Sequence, residues 1–221
     1  MIKVTYVSHM GDDITVVNAA RVSFGKKSKY ECTDMVKGKW ELTPRDSKLI
    51  NYLAEHQHKS PFNHAFATFH VKAPIFVARQ LQKHEYMPWN EISRRYVDNE
   101  PEFYEPDVWR GRSADKKQGS EGVVSISGET MRVASKASMW SVRNYRALLN
   151  AGVAPEQARM VLPQSTMTEW YWSGSLYAFA KMCSLRLKED SQQETREVAT
   201  QIQKVMIKAF PWSWKALGEC L

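Results

Sequence analysis

The sequence predicts an α+β fold, and three observations lead to it. Two stretches early in the chain alternate apolar and polar residues, as strands do. The second half reads mainly at helical period, cut by prolines and glycine. At 221 residues, 43% hydrophobic and 25% charged, the chain can bury a sizeable core. We read residues 1–221 as a single domain with a polar insertion around 110–128.

Ile2 to Val7 alternates as an opening strand. Asp13 to Phe24 reads as helix, because Val17, Ala20 and Phe24 recur at spacings of three and four. Lys26 to Lys39 is polar and loop-like. Thr43 and Pro44 start the next helix as N-cap and first-turn proline, with Leu49, Ile50 and Leu53 on one face and an end near His56. Ala65 to Lys72 alternates as a strand, and Pro74 opens a short helix. Pro88 then forces the chain out of helix. Arg110 to Gly128 is a low-hydrophobicity excursion containing DKKQGS, flanked on both sides by segments that carry chemistry.

Glu129 to Asn150 reads as a long helix with Val133, Ala137, Trp140 and Leu148 facing inward, stopped by Gly152. A short helix from Pro155 is closed by Pro163. Thr168 to Leu187 and Gln192 to Phe210 read as two more helices, and PWSW precedes a final turn. There is no internal repeat.

Composition narrows the function classes. A formal charge of +7 and a pI near 9.2 admit nucleic acid, nucleotides or phosphorylated substrates. The cations are spread and accompanied by acids, so phosphorylated small molecules compete well with nucleic acid. Three cysteines (Cys32, Cys183, Cys220) without CxxC argue against a disulfide framework and for a reducing compartment. MIKVTYVSHM is not a signal peptide, and no apolar stretch approaches the roughly 18 residues of a membrane span. The expectation is a soluble, cytoplasmic protein.

The richest segment is Arg79 to Tyr96, RQLQKHEYMPWNEISRRY. Arg79, Lys83 and His84 fit a helical face that runs into a polar loop of Asn90, Glu91, Ser93 and Arg95. Arginine forks suit phosphate, and carboxamides and hydroxyls supply neutral hydrogen bonds for a heterocycle. Tyr86, Trp89 and Ile92 are interleaved with the charges, unlike a purely solvated face. Other motifs are missing. Histidines cluster from His56 to His84 without HExxH, and neither GxGxxG nor GxxxxGK[ST] occurs. Cys183 shares a helix face with Ala180 and Leu187, the pattern of core rather than nucleophile. A lone Arg186 or Arg159 near a helix end is more often dipole compensation or a surface pair. Ser175 and Lys181 read as exposed positions on one helix, and His58 and His84 as hydrogen-bonding groups flanking a pocket.

Taken together these segments resemble the flavin-dependent thymidylate synthases, which methylate dUMP without a catalytic cysteine. HKSPFNHAFATFHVKAPIFVARQ (His58 to Gln80) resembles the strand and helix before the family signature. The signature RHR-x7-S is resembled by Lys83-His84-Glu85, seven residues, Ser93 and RRY. TEWYWSGSLYAFAKMCSLRLKEDSQQE resembles the second nucleotide-binding helix. The polar insertion looks like that of phage and viral members.

The resemblance implies a homotetramer whose active sites draw on more than one subunit, with FAD as cofactor and NADPH and methylenetetrahydrofolate as co-substrates. It implies that Gln80, Leu81, Gln82 and Lys83, then Glu91, Ile92, Ser93, Arg94 and Arg95, with Arg159 and Arg186, bind dUMP. His58, Ser60, Lys83, His84, Glu85, Asn90, Glu91, Ser175, Leu176, Tyr177 and Lys181 would border FAD. Arg186 matches the arginine that stabilises ionised N3 of uracil, a role a permanently charged guanidinium can perform. No membrane, nucleic acid or protein-bound metal is expected.

Departures from the pattern are local. The signature's first Arg is Lys83, which keeps the charge and loses the planar fork. Its third Arg is Glu85, a charge reversal. The tail histidine is replaced near Asp190, and asparagines are expected at Ser175 and Lys181. The resulting expectation is FAD-dependent conversion of dUMP to dTMP. Alternatives are a diverged member acting on another pyrimidine nucleotide or one-carbon unit and, remotely, a basic nucleic-acid-binding protein.

Overall fold

A computed structural model describes residues 1–114 and 119–221; residues 115–118, part of the DKKQGS stretch, lie outside the described residues. The chain opens with β1 (Lys3–Met10) and α1 (Asp13–Arg21), which tightens into a 3₁₀ turn at Val22–Phe24. The hairpin β2 (Glu31–Asp34) and β3 (Lys39–Glu41) follows, then α2 (Pro44–Glu55), the one-turn α3 (Lys59–Phe62), β4 (Phe66–Pro74), α4 (Ile75–Leu81) and β5 (Trp89–Glu91). Next come β6 (Arg110–Arg112), β7 (Ser120–Val123), α5 (Gly128–Asn150), α6 (Pro155–Ala158), β8 (Met167–Ser175), α7 (Leu176–Arg186), α8 (Gln193–Ala209) and α9 (Pro211–Cys220).

Helix starts follow local chemistry. Asp12 and Thr15 form a capping box on α1, and Thr43 accepts the Asp46 N–H at the start of α2, with Pro44 in its first turn. Ser127 caps α5 and Ser175 caps α7 in the same way. Asp13 is buried and accepts backbone N–H groups of Ser213 (2.7 Å) and Trp212 (3.3 Å), which ties the N-terminal helix to the start of α9.

The main sheet is antiparallel in the order β1-β4-β8-β5. β4 and β8 pair without a break from Phe66↔Ser175 to Pro74↔Met167. Ala67, Phe69, Val71 and Ala73 of β4 and Trp170, Trp172 and Gly174 of β8 point into the core, where α8 packs on β1, α4 and α7. Trp89 stacks on Trp170 at 4.3 Å, and Trp172 and Phe69 each meet Phe179 edge-on. Loss of either buried tryptophan would cost about 3–5 kcal/mol. A Cβ at Gly174 would stand 2.9 Å from Met87 Cε and 3.3 Å from Phe179 Cε2, so glycine gives close packing here and a larger residue would make the Met87 side chain shift.

Several sequence expectations are corrected. Thr168–Leu187 is not one helix, since residues 167–175 form the strand β8. Its Thr168, Trp170, Trp172 and Gly174 alternate at period two, and Thr, Trp and Tyr favour a pleated surface. Lys26–Lys39 contains β2 and the start of β3 rather than only loop, and PWSW opens the helix α9. α4 ends at Leu81, so Lys83 and His84 lie in the turn beyond it and share no helical face with Arg79. Asn90 and Glu91 belong to β5 rather than to a loop. Phe24 is largely exposed.

α5 departs most from its pattern. Val133 is 62% exposed and Trp140 56%, while Ser141 and Tyr145 are the residues it buries. The polar excursion contains the β6–β7 pair, tied to the body by Arg110, which donates to buried Glu194 at 2.6 Å.

Candidate active site

The helices that follow β4 and β8 end close to one another. Arg186, the last residue of α7, donates through Nη2 to the backbone carbonyl of Gln80 in α4 at 3.1 Å. That carbonyl is in the last turn of α4, where helix carbonyls lack intrahelical partners and cations are favoured. The Arg186 Nε–H points to His84 Nε2, also at 3.1 Å. A guanidinium only donates, so His84 Nε2 must be the acceptor and its proton must reside on Nδ1. Burial, then the charges of Arg186 and Lys181, push the His84 pKa down to about 4. The imidazole is therefore neutral at pH 7.

Beyond His84 the backbone adopts a left-handed conformation at Tyr86 (φ 59°), although its side chain is 91% exposed. A non-glycine residue held there costs of order 1–3 kcal/mol and typically marks a functional turn. On the facing wall Ser175 is buried, not an exposed helical position. Its hydroxyl accepts the Ala178 N–H at 3.1 Å and donates to Asn63 Oδ1 at 2.6 Å, joining the start of α7 to the end of α3.

Between these walls lies a cavity of about 770 Å³, lined by Lys59, Asn63, Phe66, Lys83, His84, Glu85, Tyr86, Ser175, Tyr177, Ala178, Lys181, Leu185 and Arg186. α7 divides cleanly along its axis. Ala178, Lys181 and Leu185 recur at helical spacing on the cavity side, whereas Phe179, Met182 and Cys183 are buried in the core. Burial pushes the Cys183 thiol far above its ordinary pKa, as expected of core rather than nucleophile.

The structure thus brings together Lys83, His84, Glu85, Ser175, Tyr177, Lys181 and Arg186 from the residues singled out in the sequence. The others lie elsewhere. Leu81 and Leu176 are buried, so their side chains pack in the core. The Gln80 amide donates to Gln192 Oε1 at 2.5 Å and its carbonyl accepts from Thr195 at 3.2 Å. Gln82 is exposed just past α4. Glu91 accepts from Trp89 Nε1 (3.0 Å) and Thr168 Oγ1 (2.5 Å), clasping β5 to β8. Ile92 continues that edge through its N–H to the Glu169 carbonyl.

Ser93 Oγ accepts the Arg95 N–H, and Arg94 donates to the Asn99 carbonyl. Arg95 lies 3.6 Å from the Glu156 carboxylate, and Arg159 donates to the Glu156 carbonyl. Arg95 and Arg159 are therefore joined through Glu156, away from the lining of the Arg186 cavity. His58, at the N-cap of α3, and Ser60, within α3, are exposed, His58 with its ring 5.8 Å from that of Tyr52, and Asn90 is exposed on β5.

Sequence reasoning missed Lys59, Asn63, Phe66, Tyr86, Ala178 and Leu185 as lining residues. The first three fall within the HKSPFNHAF stretch, whose turn chemistry gives no hint that it faces α7. It also missed Glu156, an ordinary surface acid by sequence. Among the described residues no group of three or more His, Cys, Asp and Glu side chains could hold a metal ion, and no helix is long and apolar enough to cross a membrane.

An antiparallel sheet backed by helices, with a cavity walled by four cations, hydroxyls and aromatic edges, defines an α+β protein suited to an anionic ligand with planar heterocycles. Residues 5–212 match the family model described as "Thymidylate synthase complementing protein". The chain is 41% identical over 218 residues to the flavin-dependent thymidylate synthase of Thermus thermophilus, covering 99% of this chain and 76% of that relative. It is 38% identical over 213 residues to that of Thermosipho melanesiensis, covering 95% and 87%. A crystal structure of a UMP/dUMP methylase, PolB from Streptomyces cacaoi bound with 5-Br dUMP, superposes with a TM-score of 0.82 at 31% identity, covering 99% and 95% of the two chains. The same enzyme bound with 5-Br UMP gives a TM-score of 0.82 at 30% identity.

The chain belongs to the flavin-dependent thymidylate synthase family. It is a methyltransferase and flavoprotein of dTMP biosynthesis, in a family whose cofactor is FAD and whose co-substrates are NADPH and methylenetetrahydrofolate. The donor set of the Arg186 cavity fits FAD, since its cations suit a diphosphate and its aromatic and hydroxyl groups suit flat rings.

Proposed function

We propose that this chain, acting as one domain, catalyses reductive methylation of dUMP to dTMP, with methylenetetrahydrofolate as carbon donor, FAD as hydride carrier and NADPH as reductant. The observation that carries the reading beyond family membership is the bracing of Arg186. His84 and the Gln80 carbonyl occupy Nε and Nη2, leaving Nη1 without a hydrogen-bond partner among the described residues at the cavity wall. A guanidinium so fixed favours the N3-ionised form of uracil, which enriches C5 and lets it attack the methylene carbon without a cysteine adduct. FAD held by the cavity residues would supply the hydride equivalent that the reductive methylation needs. His84 positions Arg186, while Lys83, Lys181 and Ser175 hold and orient the cofactor.

Arg95 and Arg159, joined through Glu156, are the phosphate-binding candidates, with Glu91 and Ser93 close to Arg95 in sequence. Their separation from the Arg186 cavity within one chain supports a homotetramer in which each site takes residues from more than one subunit. The exposed Val133 and Trp140, seven residues apart on one face of α5, support the same reading, because large apolar side chains on one face are costly to leave in water. A mixture of Arg186→Ala and Arg95→Ala subunits would then regain activity that neither has alone, and light scattering would give four times the chain mass. A monomeric, active enzyme would overturn this.

Purified protein should carry flavin absorbance and oxidise NADPH faster when dUMP is present. Protein that cannot be loaded with FAD would sink the reading. A second reading, action on UMP, rests on the UMP/dUMP methylase likeness and on Glu85 in the cavity wall. Product masses from a dUMP, UMP and dCMP panel separate the two.

A further inference from the structure

The cavity wall is unbalanced in charge. Lys59, Lys83, Lys181 and Arg186 face a single carboxylate, Glu85. Among the described residues none of these five makes an ion pair within 4 Å with an opposite charge, although surface pairs such as Lys39–Glu41 are common elsewhere. Cations left without acids around one cavity favour an anionic ligand, and the field is focused where water is partly excluded. Glu85 opposes that preference from the turn that also carries Lys83 and His84.

Two of the cations lie on the other wall, near one aromatic ring. Lys59, on α3, holds its ammonium 5.6 Å from the centroid of the Tyr177 ring. Tyr177 and Lys181 are one helical turn apart on α7 and line the same cavity. The ring keeps Lys59 at the cavity wall without neutralising it, since a cation–π contact leaves the ammonium's charge unpaired. Lys181 already acts across the cavity, as its charge contributes to the lowered pKa of His84.

We propose that Lys59 and Lys181, on either side of Tyr177, form the clamp that binds the FAD diphosphate in this chain and offset the carboxylate of Glu85. The proposal rests on the flavoenzyme reading above. It assigns a function to Lys59, and it explains how a wall holding Glu85 tolerates a doubly charged diphosphate. Positive charge on this cavity then comes from the α3–α7 wall as well as from Lys83 in the signature turn.

The test is FAD titration of the deflavinated full-length protein, followed by flavin fluorescence, with riboflavin, which has no phosphate, in parallel. Both lysines are exposed, so their replacement leaves the core intact. Lys59→Met or Lys181→Met should each weaken FAD binding about tenfold, the size of one charge-assisted contact. Riboflavin binding should be unchanged, and the salt dependence of FAD binding should become shallower. Lys59→Arg should bind as the parent does. Glu85→Arg placed in the Lys59→Met/Lys181→Met protein should recover most of the lost FAD affinity. Unchanged FAD affinity in the double lysine variant would overturn the proposal. Equal losses for FAD and riboflavin would also overturn it, because they would show that the lysines only shape the wall. If the parent protein binds neither flavin, it is the flavoenzyme reading that fails.

Discussion

Arg186 Nε and His84 Nε2 are 3.1 Å apart, a donor and an acceptor brought from opposite halves of the chain. The contact fixes the tautomer of the histidine and the plane of the guanidinium at once. It also makes the neutral form of His84 part of the native state.

A pH dependence follows from that contact. The folded pKa of His84, about 4, lies below its ordinary 6.5, so the unfolded chain takes up a proton first as pH falls. The contribution of neutral His84 to stability is full above pH 6.5 and is lost progressively as pH falls toward 4. Urea denaturation across that window should show the decline. His84→Gln retains an acceptor for Arg186 but cannot titrate, so its stability should fall less steeply. Parallel curves for the two proteins would refute the assignment.

Arg186→Ala should lower kcat by at least about 100-fold, the scale on which a donor to a developing oxyanion acts. The fold should survive, because the cavity is open enough for water to reach the Gln80 carbonyl and His84. Arg186→Lys keeps the charge but cannot satisfy both acceptors in the same plane, and should fall between the two. Steady-state dTMP formation and a thermal melt check both parts; normal turnover by the alanine variant would remove Arg186 from the chemistry.

Glu91 joins β5 to β8 through Trp89 and Thr168. Glu91→Ala leaves the buried Thr168 hydroxyl unpaired and should cost about 1–3 kcal/mol in a denaturant titration. Glu91→Gln, which can still accept from one donor, should cost less. A larger loss for Gln than for Ala would contradict the clasp.

Cys183 is buried, while Cys32 and Cys220 are exposed. Iodoacetamide should label Cys32 and Cys220 in the folded protein and reach Cys183 only after denaturation. Cys183→Ala should retain dTMP formation with a modest loss of stability from the small cavity it leaves. Loss of turnover in a folded Cys183→Ala protein would reopen thiol chemistry.

Much of the fold was legible where local chemistry decides it. Asp13, Thr43–Pro44, Pro74, Pro155 and Gln192 all mark starts within a residue or two of those observed. β8 was not, because its alternating Thr168, Trp170 and Trp172 run straight into the apolar helix α7, and the apolar positions of the two blur into one period. On α5 the apolar spacing of Val133 and Trp140 was genuine, yet the face it defines is exposed within one chain. Periodicity reports that a face is apolar and does not say which surface covers it. In the site, the signature turn and Arg186 were readable as motifs. Lys59 was not, since nothing local to α3 marks it as facing a helix more than a hundred residues further on.

By itself the sequence determined the α+β class, most helix starts and the unreactive setting of Cys183. These depend on side-chain type, short spacings and backbone restrictions that act within a few residues. Only the tertiary structure decided that Arg186 meets His84 and Gln80, that Arg95 and Arg159 are held by Glu156 instead, and that Lys59 stands over Tyr177 opposite Glu85. Those relationships come from the β4–β8 register, which sets where α3, α4 and α7 begin and end. A register is fixed by burial across the whole sheet, which no short window of sequence contains.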